Sequence, residues 1–267
     1  MILQAANPAA PFLARKLYRY RWLLFELVAR DLKLRYRGSV LGFAWTLLNP
    51  LLFMAVYALV FGVYLRIGVR NFPVFLLSGI MAWSWFVSAM QTGTSSIVDG
   101  RMYVGKTVFP AELLVIVPVL SNCVNFVLSL PFLVAIVFAY HQHLGLPLIL
   151  LPVIMIIQAL LTVGLLFFVA TMNVFFRDLQ QLIQYLLMLL FFLVPIVYSA
   201  DVIPQSARQF VLGDPIAVII TAYQHIFYYN TFPNLAGLGL VFVLAIVLVI
   251  TGYATFSHYR EMLGEYL

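Results

Sequence analysis

The sequence predicts an all-α integral membrane protein with six transmembrane helices, an N-terminal amphipathic interface helix and short re-entrant or interfacial helices on the outer side. Hydrophobic residues make up 64% of the 267 residues and charged residues only 9%, whereas a soluble domain contains about 25% charged residues. The apolar residues also form runs of about 20, the helix length that crosses the hydrocarbon core of a bilayer. These runs are expected to be helical, because an isolated span must satisfy its backbone hydrogen bonds internally.

Six apolar runs define the predicted spans, and together they form a single transmembrane domain over residues 1–267. A cytoplasmic amphipathic segment, 1–37, precedes five spans within 38–199, and an outer re-entrant segment, 200–234, precedes the last span and a cytoplasmic tail, 235–267. The spans are 40–65, 72–95, 113–140, 148–175, 182–199 and 235–256.

Lys and Arg residues fall mainly on one side of this topology. Of the 15 in the chain, 12 lie before the first span, in the second and fourth connections or in the tail, and three (Arg66, Arg70 and Arg208) lie on the other side. Because cytoplasmic loops are enriched in Lys and Arg, both termini are predicted to be cytoplasmic. No basic face with interleaved aromatic residues repeats, so the positive net charge does not indicate nucleic-acid binding.

The segment 17–37 has the pattern of an amphipathic helix. Arg30, Lys33 and Arg37 lie on one helical face, and leucines occupy another. A basic face opposite an apolar one predicts a helix that lies in the membrane interface in contact with lipids. This helix could serve only to orient the first span, or it could also hold a cytoplasmic partner.

Residues 100–107 match the phosphate-loop pattern G-x-x-x-x-G-K-[ST]. Such a loop requires a strand before it and a helix after it. Here a predicted span precedes the motif and Pro110 interrupts any helix that starts at Lys106. We therefore expect a short cytoplasmic connection without bound nucleotide.

Residues for catalysis or metal binding are not apparent in the sequence. The predicted spans contain no central charge, which argues against an ion-coupled carrier. An integral-membrane glycosyl- or acyltransferase remains an alternative, but it would need clustered acids or a His pair at a membrane face. The chain has one Cys, and His141 and His143 are expected in a solvated loop, so no catalytic residue, metal or cofactor is predicted.

Residues 30–52, RDLKLRYRGSVLGFAWTLLNPLL, resemble the entry motif of the membrane subunits of type-2 ABC exporters for polysaccharides and polyol phosphates. The resemblance implies a homodimer of this chain with two cytoplasmic ATPase subunits, which would hold the ATP and Mg²⁺. It implies export of a lipid-linked polymer across a bacterial inner membrane, with O-antigen as the first expectation and wall teichoic acid or capsular polysaccharide as alternatives. Residues that resemble the family's ATPase-coupling segments are Arg101, Lys106, Glu112, Arg177 and Asp178.

Two further sets of residues are candidates for polymer handling. Phe53, Tyr57, Phe61 and Tyr64 step by four, four and three residues, which places four rings on one helical face. We call these four residues the aromatic stripe; it is expected to line a substrate channel or to pack against another span. On the outer side, Asp214 and Pro215 predict an N-cap and a first helical position, and the helix ends at Tyr228 and Tyr229, which are expected to form an outer gate or an interfacial helix.

Overall fold

The structure, a computed structural model, describes residues 9–38, 42–64, 69–104, 109–206, 211 and 213–266. Within these residues the secondary structure is helical and contains no strand, as the sequence predicts. The α-helices are α1 (Ala9–Arg19), α2 (Arg21–Tyr36), α3 (Trp45–Tyr57), α4 (Phe72–Thr94), α5 (Ser96–Asp99), α6 (Arg101–Val104), α7 (Glu112–Ala139), α8 (Leu151–Phe175), α9 (Leu179–Leu193), α10 (Pro215–Gln224) and α11 (Leu235–Tyr266). Two of them continue as π-helices, α3 over Ala58–Tyr64 and α10 over His225–Tyr229.

Four helices in the described part of the chain are long and apolar enough to cross a membrane. They are Phe72–Thr94, Glu112–Ala139, Leu146–Phe175 and Leu235–Arg260. The first and fifth predicted spans correspond to shorter apolar helices, Leu51–Tyr64 and Leu179–Leu193. Four of the six predicted spans are therefore confirmed by length and composition, and the count of six is not.

Helix α4 lies at the centre of the bundle and is fixed to two neighbours by buried side-chain hydrogen bonds. Trp85 Nε1 donates to the carbonyl oxygen of Val119 on α7 at 3.1 Å. From α8, Gln158 Nε2 donates to the carbonyl oxygen of Ala82 at 2.9 Å. Such bonds satisfy polar groups that lipid cannot solvate, and they set the helices in one register.

Helices α8 and α11 pack closely because glycines meet at their crossing. A Cβ atom built on Gly252 would lie 2.7 Å from the carbonyl oxygen of Gly164, and one built on Gly164 would lie 2.7 Å from the Cβ atom of Leu248. Small residues allow this backbone approach between membrane helices. The closely packed pair lies on one side of α4.

The N-terminal segment differs from the single amphipathic helix that the sequence predicts. It forms two helices, and only α1 separates apolar from basic residues clearly. In α2 the aromatic side chains of Trp22 and Phe25 are exposed, while Arg30 and Arg35 hydrogen-bond to the bundle. Both arginines remain exposed although they bond to α6 and α7, so the amphipathic interface helix over 17–37 is not confirmed for α2 and remains a prediction.

Candidate functional site

A cleft of about 910 Å³ opens between α3, α4, α7 and α9. Aromatic rings and small polar groups alternate along its walls. The aromatic residues are Trp45, Phe53, Tyr57, Trp83, Trp85, Phe126, Tyr185, Phe191 and Phe192, and the amide and hydroxyl residues are Ser84, Ser88, Gln91, Asn122, Asn125, Ser129 and Gln184. Such a surface offers flat apolar faces and many neutral hydrogen-bonding groups.

Arg35 is the one charged residue among the described residues that line this cleft. Its Nη1 donates to Asn122 Oδ1 at 2.7 Å, and its Nη2 lies 3.1 Å from Asp31 Oδ2 on the same helix. The Asn122 amide in turn donates to the carbonyl oxygen of Pro118 at 2.7 Å. The guanidinium of Arg35 is thereby fixed in position beside an otherwise uncharged cleft.

The aromatic stripe exists as a stack on α3 and its π-helical continuation. The ring centroids of Phe53 and Tyr57 are 6.3 Å apart, and those of Tyr57 and Phe61 are 5.8 Å apart. Phe53 and Tyr57 line the cleft, whereas Phe61 and Tyr64 do not. The Tyr57 ring also packs on Phe191 of α9, with centroids 5.5 Å apart. Tyr57 therefore packs against another helix and borders the cleft, and the channel-lining role of the stripe remains a prediction.

One end of the bundle, which we call the basic end, is formed by α1, α2, residues 101–104 and 109–112, residues 176–178 and the last turns of α11. There the guanidinium of Arg30 donates to the Tyr103 hydroxyl. The Tyr103 ring packs on Phe109 at 5.0 Å, and Arg260 donates to the Phe109 carbonyl oxygen at 3.4 Å. Two distant parts of the chain, α2 and the end of α11, therefore hold the described residues of the second connection.

Glu112 occupies the centre of this end and is fully buried. Its Oε1 lies 2.8 Å from Lys16 Nζ on α1, and Lys16 Nζ also donates to the Tyr253 hydroxyl on α11 at 3.5 Å. Glu112 was predicted to face an ATPase partner, but its carboxylate points into the protein. The ion pair explains the difference, because a buried carboxylate needs a countercharge and α1 supplies one.

The other candidates at the basic end are accessible. Arg101, Arg177 and Asp178 are exposed, and neither of the two ion pairs among the described residues involves them. Lys33 and Arg37 on and after α2 are exposed as well. Lys106 lies outside the described residues. The coupling role of Arg101, Lys106, Arg177 and Asp178 and the interface role of Lys33 and Arg37 remain predictions.

At the opposite end, the predicted helix start is confirmed. The Asp214 carboxylate accepts a hydrogen bond from the Ile216 amide at 3.0 Å, and Pro215 is the first residue of α10. Burial raises the pKa of Asp214, and the hydrogen bonds from the Ile216 and Ala217 amides offset part of that shift. The Tyr228 hydroxyl donates to the Arg70 carbonyl oxygen at 2.6 Å, while the gating role of Tyr228 and Tyr229 is still a prediction.

Two residues with clear structural roles were not among the candidates from the sequence. Lys16 binds Glu112, and Asn122 binds Arg35, across large sequence separations. Asn122 carried a weak signal, since an amide inside an apolar span usually bonds to a neighbouring helix. Lys16 carried none, because it is one of several basic residues before the first span.

Comparisons with known proteins agree on one family. Residues 23–228 match the family model described as ABC-2 type transporter. A Myxococcus xanthus protein named O-antigen export system permease protein RfbA is 42% identical over 255 residues, which cover 95% of this chain and 98% of that protein. A Klebsiella pneumoniae protein of the same name is 30% identical over 246 residues, 92% of this chain and 95% of that protein.

Proposed function

We propose, on the premise that this chain belongs to the ABC-2 type transporter family, that it is the transmembrane subunit of an ATP-driven exporter for a lipid-linked polysaccharide of the O-antigen type. The family and the apolar helices make it a multi-pass membrane protein and a transport subunit. The names of the two relatives favour O-antigen over other polymers. The aromatic and amide cleft is the structural observation that supports a glycan as cargo.

The chemistry of the cleft suits a polymer that must slide. Aromatic faces stack on the apolar faces of sugar rings, and tyrosine, serine and amide groups exchange hydrogen bonds with hydroxyls. By analogy with aromatic pairs, each stacking contact contributes about 0.5–1.5 kcal/mol, which is weak enough to release. The described lining residues include no carboxylate, so the cleft offers no negative charge that would bind a cationic substrate.

The cleft is open on one side, and this favours a channel formed by two copies of the chain. Helix α9 exposes large apolar side chains along its outer surface: Leu182, Leu186, Met188, Leu189 and Phe192. Two of them, Met188 and Phe192, line the cleft. A second copy that covered α3 and α9 would close two clefts into one passage.

An ATPase subunit is expected at the basic end. Arg101, Arg177 and Asp178 are exposed there on two neighbouring connections, and the ABC-2 family implies a partner that hydrolyses ATP. Since most Lys and Arg residues lie at this end, we place it and both termini in the cytoplasm. Six spans follow if α3 with its π-helical continuation and α9 also cross the membrane.

A deletion strain of the source bacterium tests this function. Loss of the gene should remove long-chain polysaccharide from the cell surface and leave lipid-linked polymer in the inner membrane; the composition of that polymer identifies O-antigen, teichoic acid or capsule. Re-expression of the double variant Phe53→Ala, Tyr185→Ala should restore surface polymer less well than Leu240→Ala, a matched control that truncates an exposed apolar side chain on α11 away from the cleft. Normal surface polymer in the deletion strain would refute the proposal.

A further inference from the structure

A second cavity, of about 700 Å³, lies at the end of the bundle opposite the basic end. We call it the outer cavity. Its walls come from three places in the chain, the start of α4 at Arg70 and Asn71, residues 139–142 after α7, and Tyr228 and Tyr229 at the end of the π-helix. Its size falls within the range of about 300–1,000 Å³ that is typical of small-ligand sites.

We propose that the outer cavity binds sugar units of the exported polymer as they leave the protein. This inference rests on the proposed function and adds a second glycan subsite to it, about 40 Å along α7 from the basic end, as the 28 residues of that helix imply. The site takes a hydroxyl-rich ligand. It is separate from the cleft, with which it shares none of its described lining residues.

The lining has the chemistry that recognises sugars. Three tyrosine rings supply stacking faces, of which Tyr140 and Tyr229 are 39% and 40% exposed. Arg70, His141 and Gln142 supply hydrogen-bonding groups to the same space. No carboxylate is among the described lining residues. Flat rings beside hydrogen-bonding groups, with an arginine and no carboxylate, favour a carbohydrate over a cation or an apolar molecule.

The Gln142 side chain points to a ligand independently of this composition. Its Oε1 is buried and has no hydrogen-bond partner among the described residues. A buried acceptor without a partner is unfavourable in the empty state. A sugar hydroxyl can donate a hydrogen bond to this oxygen once the side chain turns towards the cavity, whereas an apolar ligand has no donor to offer.

The backbone around the outer cavity is also unusual. Asn71, His141 and Asn230 have φ values of 51°, 55° and 51°, and they are the non-glycine residues with positive φ in the described part of the chain. Asn71 and His141 line the cavity, and Asn230 directly follows Tyr229. All three lie at helix ends, before α4, after α7 and after the π-helix, where a left-handed residue commonly starts or ends a helix. The cavity is therefore surrounded by three helix ends.

Contacts within the protein hold Tyr228 and Tyr229 in place without a ligand. The Tyr228 hydroxyl donates to the Arg70 carbonyl oxygen at 2.6 Å, and the Tyr228 ring packs edge-on against Phe75 at 5.3 Å. Tyr229 packs edge-on against Tyr228 at 4.7 Å. A preformed stacking surface lowers the entropy that a ligand loses on binding.

Photocrosslinking in living cells tests the site directly. Benzoylphenylalanine is placed at Tyr140, and at Leu146 as a control, because Leu146 is 80% exposed at the same end but does not line the cavity. Irradiation of exporting cells should attach polysaccharide to position 140 and not to position 146, and polymer should disappear from position 140 when its synthesis is switched off. Attachment to lipid alone at position 140, or equal attachment of polymer at both positions, overturns the proposal.

A binding measurement separates the outer cavity from the proposed function. The assembled complex in lipid nanodiscs is titrated with the cells' own polysaccharide, freed of lipid by mild acid, and saturation transfer to the sugar protons is recorded by NMR. Tyr140→Ala should weaken binding about three- to tenfold, as expected for one lost stacking contact, and Tyr140→Phe should restore it. If the deletion strain loses surface polymer but Tyr140→Ala binds and exports as the wild type does, the outer cavity is refuted while the exporter function stands.

Discussion

Replacing one partner of the ion pair between Lys16 and Glu112 should destabilise the protein more than replacing the other. The Glu112 side chain is 1% exposed and the Lys16 side chain 22% exposed. Replacing Lys16 by Met leaves a carboxylate buried without its countercharge, and breaking a buried pair in this way costs about 3–5 kcal/mol. Replacing Glu112 by Gln leaves a cation that can turn towards water, so the loss should be smaller, about 1–2 kcal/mol.

The double variant Lys16→Met, Glu112→Gln removes both charges and should recover most of the stability lost by Lys16→Met alone. Unfolding of the complex in nanodiscs, followed by tryptophan fluorescence, gives the three changes in free energy of unfolding and their coupling energy. The reasoning is refuted if Lys16→Met is no more damaging than Glu112→Gln, or if the double variant loses the sum of the two single losses. Either result would mean that Glu112 is not held as a buried, paired charge.

Three further predictions concern packing and burial. Gly252→Ala should destabilise the fold by about 1–3 kcal/mol, because the new methyl group would meet a carbonyl oxygen of α8 at 2.7 Å. Gly239→Ala is the control: a Cβ atom there has nothing within 4 Å, so the change should be neutral or stabilising by up to about 1 kcal/mol. Equal melting temperatures of the two variants would contradict this packing. Tyr223→Phe should stabilise by about 1 kcal/mol, because the buried hydroxyl has no partner among the described residues, and a lower melting temperature would reveal a hidden bond. Burial raises the pKa of Asp214, so the folded state holds the proton more tightly than the unfolded state. Asp214→Asn, which keeps the cap, should therefore be more stable than the wild type at neutral pH. The difference in free energy of unfolding should shrink as pH falls through that raised pKa. A difference that is independent of pH would show that Asp214 is not buried as a charge.

Features that depend on neighbouring residues were predictable from the sequence. The Asp214-Pro215 pair specifies a helix start through contacts two residues apart, and the structure contains that start. The spacing of Phe53, Tyr57 and Phe61 specifies a shared helical face, and their rings do stack. In both cases helix geometry alone determines the outcome.

Features that depend on distant residues were not predictable in the same way. The burial of Glu112 follows from Lys16 and from Tyr253, and Lys16 and Tyr253 are 237 residues apart in sequence. Whether Tyr57 faces a passage or a neighbour depends on Phe191, which arrives from α9. The short α9 illustrates the same limit, since an apolar run of sufficient length was interrupted at Val194, where the backbone becomes extended.

The contacts of α1 and α2 have a consequence for biogenesis. These helices are made before α6, α7 and α11, which carry their partners Tyr103, Glu112, Asn122 and Tyr253. The partners on α6 and α7 become available once α7 has been made, whereas the hydrogen bond from Lys16 to Tyr253 must await α11. A chain without α11 would therefore dock α2 and leave α1 with only part of its contacts, so the exposure of α1 to proteases would show whether α11 has been inserted.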